Sequence, residues 1–147
     1  MDIELINKIT DYGIIGFLGF LSFLTLMFYI ERIWFYKTIK LEEYKNKEEL
    51  EIDLTNNIGI ITTTASNAPY IGLLGTVFGI IVTFYIMGQS GNIDVKNIMT
   101  SLALALKATA MGLIVAIPAI VFNNHLVRKS EVLIAKWEVL QKAKSEA

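Results

Sequence analysis

Charged residues are confined to short blocks along this chain, and long apolar stretches separate the blocks. No residue from Tyr12 to Ile30 is charged, and no charge appears again between Leu54 and Ile93. A helix rises about 1.5 Å per residue, so about 20 apolar residues cross a hydrocarbon core of about 30 Å. A third apolar stretch, interrupted by a single lysine, follows later in the chain. The pattern predicts an all-α membrane protein with three transmembrane helices at about 12–36, 66–88 and 98–122.

The segments outside these spans, 37–65 and 123–147, carry most of the charge. Residues 37–55 are typical of a solvated helix or helix–turn. The final segment is predicted to be an amphipathic helix that packs on residues 37–55 or on a neighbouring copy, with an apolar face made of Leu126, Leu133, Trp137 and Leu140. The two segments outside the spans hold nine basic residues, against two in the N-terminus and the second connection. The positive-inside rule therefore predicts a cytoplasmic C-terminus and an N-terminus on the outer side.

The second and third predicted spans each have one narrow face of small and hydroxylated residues. In both spans four of them recur at i, i+4, i+7 and i+11, which places them on one side of a helix. They are Gly72, Thr76, Gly79 and Thr83 in the second span, extended by Ala65 and Ala68, and Ala105, Thr109, Gly112 and Ala116 in the third. Such a face either packs closely against another membrane helix or lines a polar pathway. Because both faces need something opposite them, the pattern favours self-association. If copies surround an axis with these helices inward, Thr76 and Thr109 form rings of hydroxyl groups.

The composition limits the chemistry that this chain offers. It has 147 residues, no cysteine and one histidine, and its formal net charge is −1. Disulfides and thiol chemistry are therefore excluded, and we expect neither a metal site nor a nucleic-acid partner. The sequence has no nucleophile–base pair, no metal-ligand spacing and no phosphate-binding loop. We therefore expect neither an enzyme nor a bound cofactor.

The second and third spans each contain a sequence motif, and the two motifs at this distance are unlikely to occur together by chance. They are APYIGLLGTVFGI at 68–80 and ALKATAMGLIVAIPA at 105–119. Together they resemble the MotA/TolQ/ExbB proton-channel family, and the short segments outside the membrane favour an ExbB-like over a TolQ-like role. The resemblance implies one domain over 1–147 in the bacterial inner membrane, with a periplasmic N-terminus. It also implies a ring-like homo-oligomer, usually a pentamer, around the transmembrane helices of a small partner, ExbD, in a central pore. In the family, proton flow past an aspartate of that partner drives TonB, which works outer-membrane transporters. By this resemblance Thr76 and Thr109 face the aspartate.

Lys107 departs from the family pattern. Family members commonly have a glutamate five residues before the threonine of the third span, and this chain has Leu104 there. Lys107 lies about 200° around the helix from Thr109, so the two are not expected on one face. The favoured interpretation is that the Lys107 ammonium reaches outward or pairs at a subunit boundary. The alternative is that it replaces the missing acid with opposite sign. For the whole protein, the alternatives are a TolQ-like subunit and a passive scaffold that stabilises a partner without moving ions.

Overall fold

The computed structural model describes residues 3–147, and its side chains are described from Leu5 onward. Over this range the chain forms four α-helices and one short 3-10 helix at Leu41–Glu43. The α-helices are α1 (Ile3–Thr38), α2 (Lys47–Thr55), α3 (Ile58–Ser90) and α4 (Val95–Glu146). Three of them, α1, α3 and α4, are long and apolar enough to cross a membrane. The prediction of an all-helical protein with three apolar spans is therefore confirmed.

The three long helices extend beyond the predicted spans. Helix α3 begins at Ile58, well before the predicted start at 66, and α4 continues without a break past Phe122 to the end of the tail. The tail that we predicted to be an amphipathic helix is therefore helical, and it forms one continuous helix with the third span. The two asparagines after Phe122 are weak helix formers but not breakers. Asn123 also accepts a hydrogen bond of 2.7 Å from the Thr62 hydroxyl of α3, which holds α4 in place there.

The turn between α3 and α4 is short and has a defined start and end. Gly91 has a φ of 65°, the left-handed conformation that glycine adopts readily, and its N–H donates to the Met87 carbonyl at 3.1 Å. The Asp94 side chain then accepts a hydrogen bond from the Lys96 N–H and so caps the first turn of α4. A turn of this length makes α3 and α4 antiparallel neighbours.

The tail of α4 packs on the segment that follows α1. Leu50 and Leu54 of α2 are fully buried in one cluster with Leu126 and Trp137 of α4. The simple prediction of a solvated middle segment is therefore wrong for this face of α2. Of the two partners proposed for the tail's apolar face, the structure shows the one within the chain. The Tyr44 hydroxyl donates to an Asp53 carboxylate oxygen at 2.7 Å, and partial burial together with this hydrogen bond raises the pKa of Tyr44 to about 12.

Arg32 connects α1 to the end of α2. Its side chain is buried and donates two hydrogen bonds of 2.6 Å to the Glu31 carboxylate. A third, also 2.6 Å, goes to the Asp53 carbonyl. The Tyr36 hydroxyl donates to the Leu54 carbonyl one turn further along α1. The N–H groups of a buried guanidinium all need hydrogen-bond acceptors. These contacts therefore fix the position of the end of α2 against α1.

We expect Trp137→Phe to weaken the docking of the tail. The Trp137 indole donates to the Tyr44 carbonyl at 3.1 Å, and phenylalanine keeps most of the ring but loses this donor. The free energy of unfolding should fall by about 1–3 kcal/mol, because a half-buried carbonyl loses its partner. Urea unfolding of the detergent-solubilised protein measures the loss. The control is Trp34→Phe, since the Trp34 side chain is 70% exposed. Equal stability of both variants would contradict the docking role of the indole.

Candidate functional site between α3 and α4

Helices α3 and α4 cross with their backbones in contact at Gly72 and Gly112. A Cβ atom added at Gly72 would lie 2.6 Å from the Ala108 carbonyl oxygen and 3.0 Å from the Gly112 Cα. A Cβ atom added at Gly112 would lie 2.6 Å from the Ala68 carbonyl oxygen. Neither position has room for a side chain, so the glycines set the distance between the helices.

The small faces predicted on the two spans lie against each other within one chain. Ala105 is the nearest neighbour of Gly79, and Ala68 packs with Ala116. Thr109 is half-buried, and the other positions of the two faces are all buried, namely Ala65, Ala68, Gly72, Thr76, Gly79, Thr83, Ala105, Gly112 and Ala116. The small face of α3 is thus the packing partner of the small face of α4. The small residues alone therefore do not require a second copy of the chain, which corrects the argument from sequence.

The two threonines of the predicted pathway form a hydroxyl pair one turn from this crossing. Their Oγ1 atoms lie 2.5 Å apart, and the Thr76 hydroxyl also donates to the Ala105 carbonyl at 2.9 Å. A hydroxyl has one proton, so with Thr76 donating to Ala105, Thr109 donates to Thr76. The lone pairs of Thr109 Oγ1 then remain free to accept. Thr76 is only 6% exposed and Thr109 is half-buried, so Thr109 is the more exposed member of the pair.

This pair can bind a proton carrier but cannot itself carry the proton. Threonine hydroxyls do not titrate near neutral pH, so an arriving acid or water supplies the proton. A protonated carboxyl group is a suitable ligand, because it donates one hydrogen bond to a free acceptor such as Thr109 Oγ1. Among the side chains of residues 5–147, no group of three His, Asp or Glu residues is placed to hold a metal ion.

Gly75 is a further position of close contact that the sequence argument did not include in the small face. A Cβ atom there would lie 2.7 Å from the Ala108 Cβ and 2.9 Å from the Ile14 Cδ1 of α1. Gly75 therefore lies where all three long helices meet. The sequence signal was present in the spacing of Gly72, Gly75 and Gly79. One narrow face suits a single partner helix, whereas α3 packs against both α1 and α4.

Lys107 lies away from the threonine pair, in a cleft of about 150 Å³ between α4 and the start of α1. Leu104, at the position of the family glutamate, lines the same cleft, as do Asp11 and Lys8 of α1. Among the described residues, no carboxylate oxygen lies within 4.0 Å of the Lys107 ammonium. The negative charge of Asp11 therefore lies in the same cleft as the Lys107 ammonium, but farther from it than the 4.0 Å of a salt bridge.

We expect Lys107→Met to be tolerated, with a modest loss of oligomer stability. Methionine keeps the apolar volume of the lysine stem and removes an ammonium that is costly within a membrane. Transport activity at equal membrane abundance is the measurement. If Lys107 instead replaces the absent glutamate, the Lys107→Met variant should be assembled but inactive. The Lys107→Arg variant, which keeps the charge, should then have only part of the wild-type activity. An abundant, stable and inactive Lys107→Met complex would overturn the structural interpretation.

Comparison with known proteins extends the resemblance beyond the two motifs. The MotA/TolQ/ExbB proton channel family matches residues 30–139, which include the middle segment and most of the tail. This chain belongs to that family. It is 54% identical over 132 residues to a putative biopolymer transport protein, ExbB-like 2, of Helicobacter pylori, covering 90% of this chain and 88% of that protein. It is 52% identical over 138 residues to the biopolymer transport protein ExbB of Aquifex aeolicus, covering 94% and 93% of the two chains.

The family also includes more distant relatives from the Tol-Pal system. The TolQ protein of Pseudomonas aeruginosa is 36% identical over 93 residues, which cover 63% of this chain and 38% of that protein. The Helicobacter pylori and Aquifex aeolicus relatives are thus similar over nearly the whole length, whereas the TolQ relative is similar over a shorter part. Three apolar helices and these relatives identify the chain as a membrane protein of the ExbB/TolQ proton-channel type.

Proposed function

We propose that this chain is the ExbB-type subunit of a motor in the bacterial inner membrane that the proton-motive force drives. The N-terminus is periplasmic and the C-terminus cytoplasmic. Several copies, five in the proposed assembly, form a ring around the transmembrane helices of ExbD, and the complex energises TonB-dependent transport across the outer membrane. In this role the protein is not an enzyme. The observation that carries the proposal is the Thr76–Thr109 hydroxyl pair, whose half-buried member offers a free acceptor.

The exposed face of α1 supports this arrangement. Phe17, Phe20 and Phe23 of α1 are exposed and suit contact with lipid. In the proposed ring, α3 and α4 lie inward and α1 outward. The protonated aspartate of an ExbD helix then donates to Thr109 Oγ1, and its proton is released on the cytoplasmic side after the helix moves. The threonines bind the acid, and ExbD provides the titrating group.

The ExbB-like role is favoured over the TolQ-like role by the extent of the similarity. The ExbB-like 2 protein of Helicobacter pylori and the ExbB protein of Aquifex aeolicus match about nine-tenths of this chain at 52–54% identity. The TolQ relative is less similar and is matched over 38% of its own length. Complementation of cells that lack ExbB and of cells that lack TolQ discriminates the two roles, because we expect this chain to restore TonB-dependent uptake in the first and not Tol-dependent envelope integrity in the second.

We expect proton flux in reconstituted vesicles only when both this chain and ExbD are present. A pH-sensitive dye inside vesicles with an imposed pH gradient measures the flux. Vesicles with this chain alone are the control, since its hydroxyl groups do not titrate. Native mass spectrometry of the same complex gives the copy number. Equal flux with and without ExbD, or none in either case, would contradict the motor, and the second result would favour the passive scaffold.

A further inference from the structure

Helices α1 and α4 come together where both leave their apolar stretches. The ring of Tyr29 in α1 stacks on that of Phe122 in α4, with centroids 4.2 Å apart. The Tyr29 hydroxyl also lies 2.7 Å from Nδ1 of His125. Tyr29 is next to the end of the first uncharged stretch, and Phe122 is the last apolar residue before two asparagines. The two helices therefore reach one membrane–water boundary at the same level.

Two adjoining clefts follow the α1–α4 groove from this contact, and Lys37 and Lys129 line both of them. We call the two together the basic cleft. The first part, about 430 Å³, is otherwise lined by Tyr29, Ile30, Ile33, Trp34 and His125. The second part, about 370 Å³, is otherwise lined by Tyr36, Arg128, Val132, Leu133 and Lys136. The basic cleft thus combines apolar walls with cationic side chains, and no carboxylate lines it among the described residues.

The lysines of the basic cleft have no anionic partner in the part of the chain that the structure describes. No carboxylate oxygen lies within 4.0 Å of the ammonium groups of Lys37, Lys129 or Lys136. Arg128, which also lines the cleft, does have a partner, since a Glu131 carboxylate oxygen lies 3.9 Å from its guanidinium. The three lysines nevertheless give the basic cleft uncompensated positive charge beside apolar surface.

We propose that the basic cleft binds an anionic phospholipid. The phosphate lies between Lys37 and Lys129, and an acyl chain runs along Ile30 and Ile33 towards the bilayer core. Basic pockets between membrane helices at the boundary are suited to anionic head groups. The exposed Trp34 indole beside the cleft is typical of a side chain at head-group level. With the orientation proposed above, the lipid belongs to the cytoplasmic leaflet.

The apolar walls favour a lipid over a free phosphate. A small anion needs only the ammonium groups, and Ile30 and Ile33 add nothing to its binding. Both isoleucines lie in or just after the uncharged stretch of α1, so the cleft is continuous with the hydrocarbon region. A ligand with a phosphate and an acyl chain uses both parts of the site. Binding this lipid adds a contact between α1 and α4 at the boundary.

Native mass spectrometry of the full-length complex in mild detergent tests the site, with phosphatidylglycerol and phosphatidylcholine added in turn. We expect the wild-type complex to retain phosphatidylglycerol in preference to phosphatidylcholine. The double variant Lys37→Gln/Lys129→Gln should bind phosphatidylglycerol about 10- to 30-fold more weakly, since each cation near the surface contributes on the order of 1 kcal/mol. The matched control Lys142→Gln/Lys144→Gln removes the same charge from the exposed end of α4 and should bind as the wild type does.

Three results would overturn the site. Equal weakening in both double variants would mean that the lipid responds to net charge alone. Equal retention of phosphatidylcholine, a comparison that needs no variant, would mean that the cleft does not recognise an anionic head group. Displacement of phosphatidylglycerol by low-millimolar inorganic phosphate would mean that the acyl chain contributes nothing. Lys37→Arg/Lys129→Arg, which keeps both charges, should restore binding. These readouts are independent of proton flux, so they separate this site from the proposed motor function.

Discussion

Replacing Gly72 with leucine should prevent α3 and α4 from packing together and should abolish the native oligomer. A side chain at Gly72 begins with a Cβ atom 2.6 Å from the Ala108 carbonyl oxygen, and backbone cannot move aside as a flexible side chain can. The helices must separate, and the Thr76–Thr109 hydrogen bond one turn away is lost with the crossing. We expect a loss of stability of about 3 kcal/mol or more, at the upper end for overpacking. Size-exclusion chromatography and thermal unfolding in detergent measure it.

Gly88→Leu is the matched control for this variant. Gly88 lies on the same helix near its end, and a Cβ atom there meets nothing within 4 Å. Gly79→Leu should also impair assembly, since its Cβ would lie 2.7 Å from the Ala105 Cβ, which is itself a side-chain atom. The order of damage should therefore be Gly72, then Gly79, then Gly88. A Gly72→Leu variant that elutes as the wild-type oligomer with ExbD bound would contradict the close crossing.

The small faces were predictable from sequence, but the surface that each one contacts was not. The spacing of Gly72, Thr76 and Gly79 depends only on helical periodicity, which is local. The surface that contacts each small face depends on which helix is its neighbour. The short turn after α3 makes α4 that neighbour. From the sequence we expected the partner face in another copy of the chain. In the structure the two faces pack against each other, and Thr109 is the more exposed member of the threonine pair.

The middle segment shows why short charged elements are difficult to predict. Helix α2 has nine residues, and its two leucines, Leu50 and Leu54, are too few to define a period. Their burial depends on the tail of α4, which returns to this level only after the whole of α3 has been traversed. Arg32 lies just after the first uncharged stretch, a position typical of a membrane–water boundary. Its burial by Glu31 and the Asp53 carbonyl is a tertiary contact that its neighbours in sequence do not indicate.

Thr109→Val should abolish transport while leaving assembly intact. Valine has nearly the shape of threonine, so the packing between α3 and α4 is kept, and only the hydroxyl is removed. The free acceptor at Thr109 is then absent, and an acid of the partner has no hydrogen bond to form at this point. We expect TonB-dependent iron uptake and reconstituted proton flux to fall at least tenfold. This corresponds to an increase of about 1.4 kcal/mol or more in the activation free energy of the rate-limiting step. Thr76→Val should act in the same direction, because Thr109 then loses the partner that orients its hydroxyl.

Two further variants separate the hydroxyl from packing. Thr109→Ser restores a hydroxyl with less volume, so it should recover most of the uptake even if the complex is slightly less stable. Thr100→Val is the control on the same helix, since the Thr100 hydroxyl is exposed and bonds only the Lys96 carbonyl of its own helix, at 3.0 Å. It should leave uptake unchanged. If Thr109→Val supports normal uptake at equal abundance, Thr109 is not part of the pathway, and the hydroxyl pair only joins two helices. If Thr109→Ser fails as completely as Thr109→Val, the methyl group matters and the proposed hydrogen bond to an acid does not.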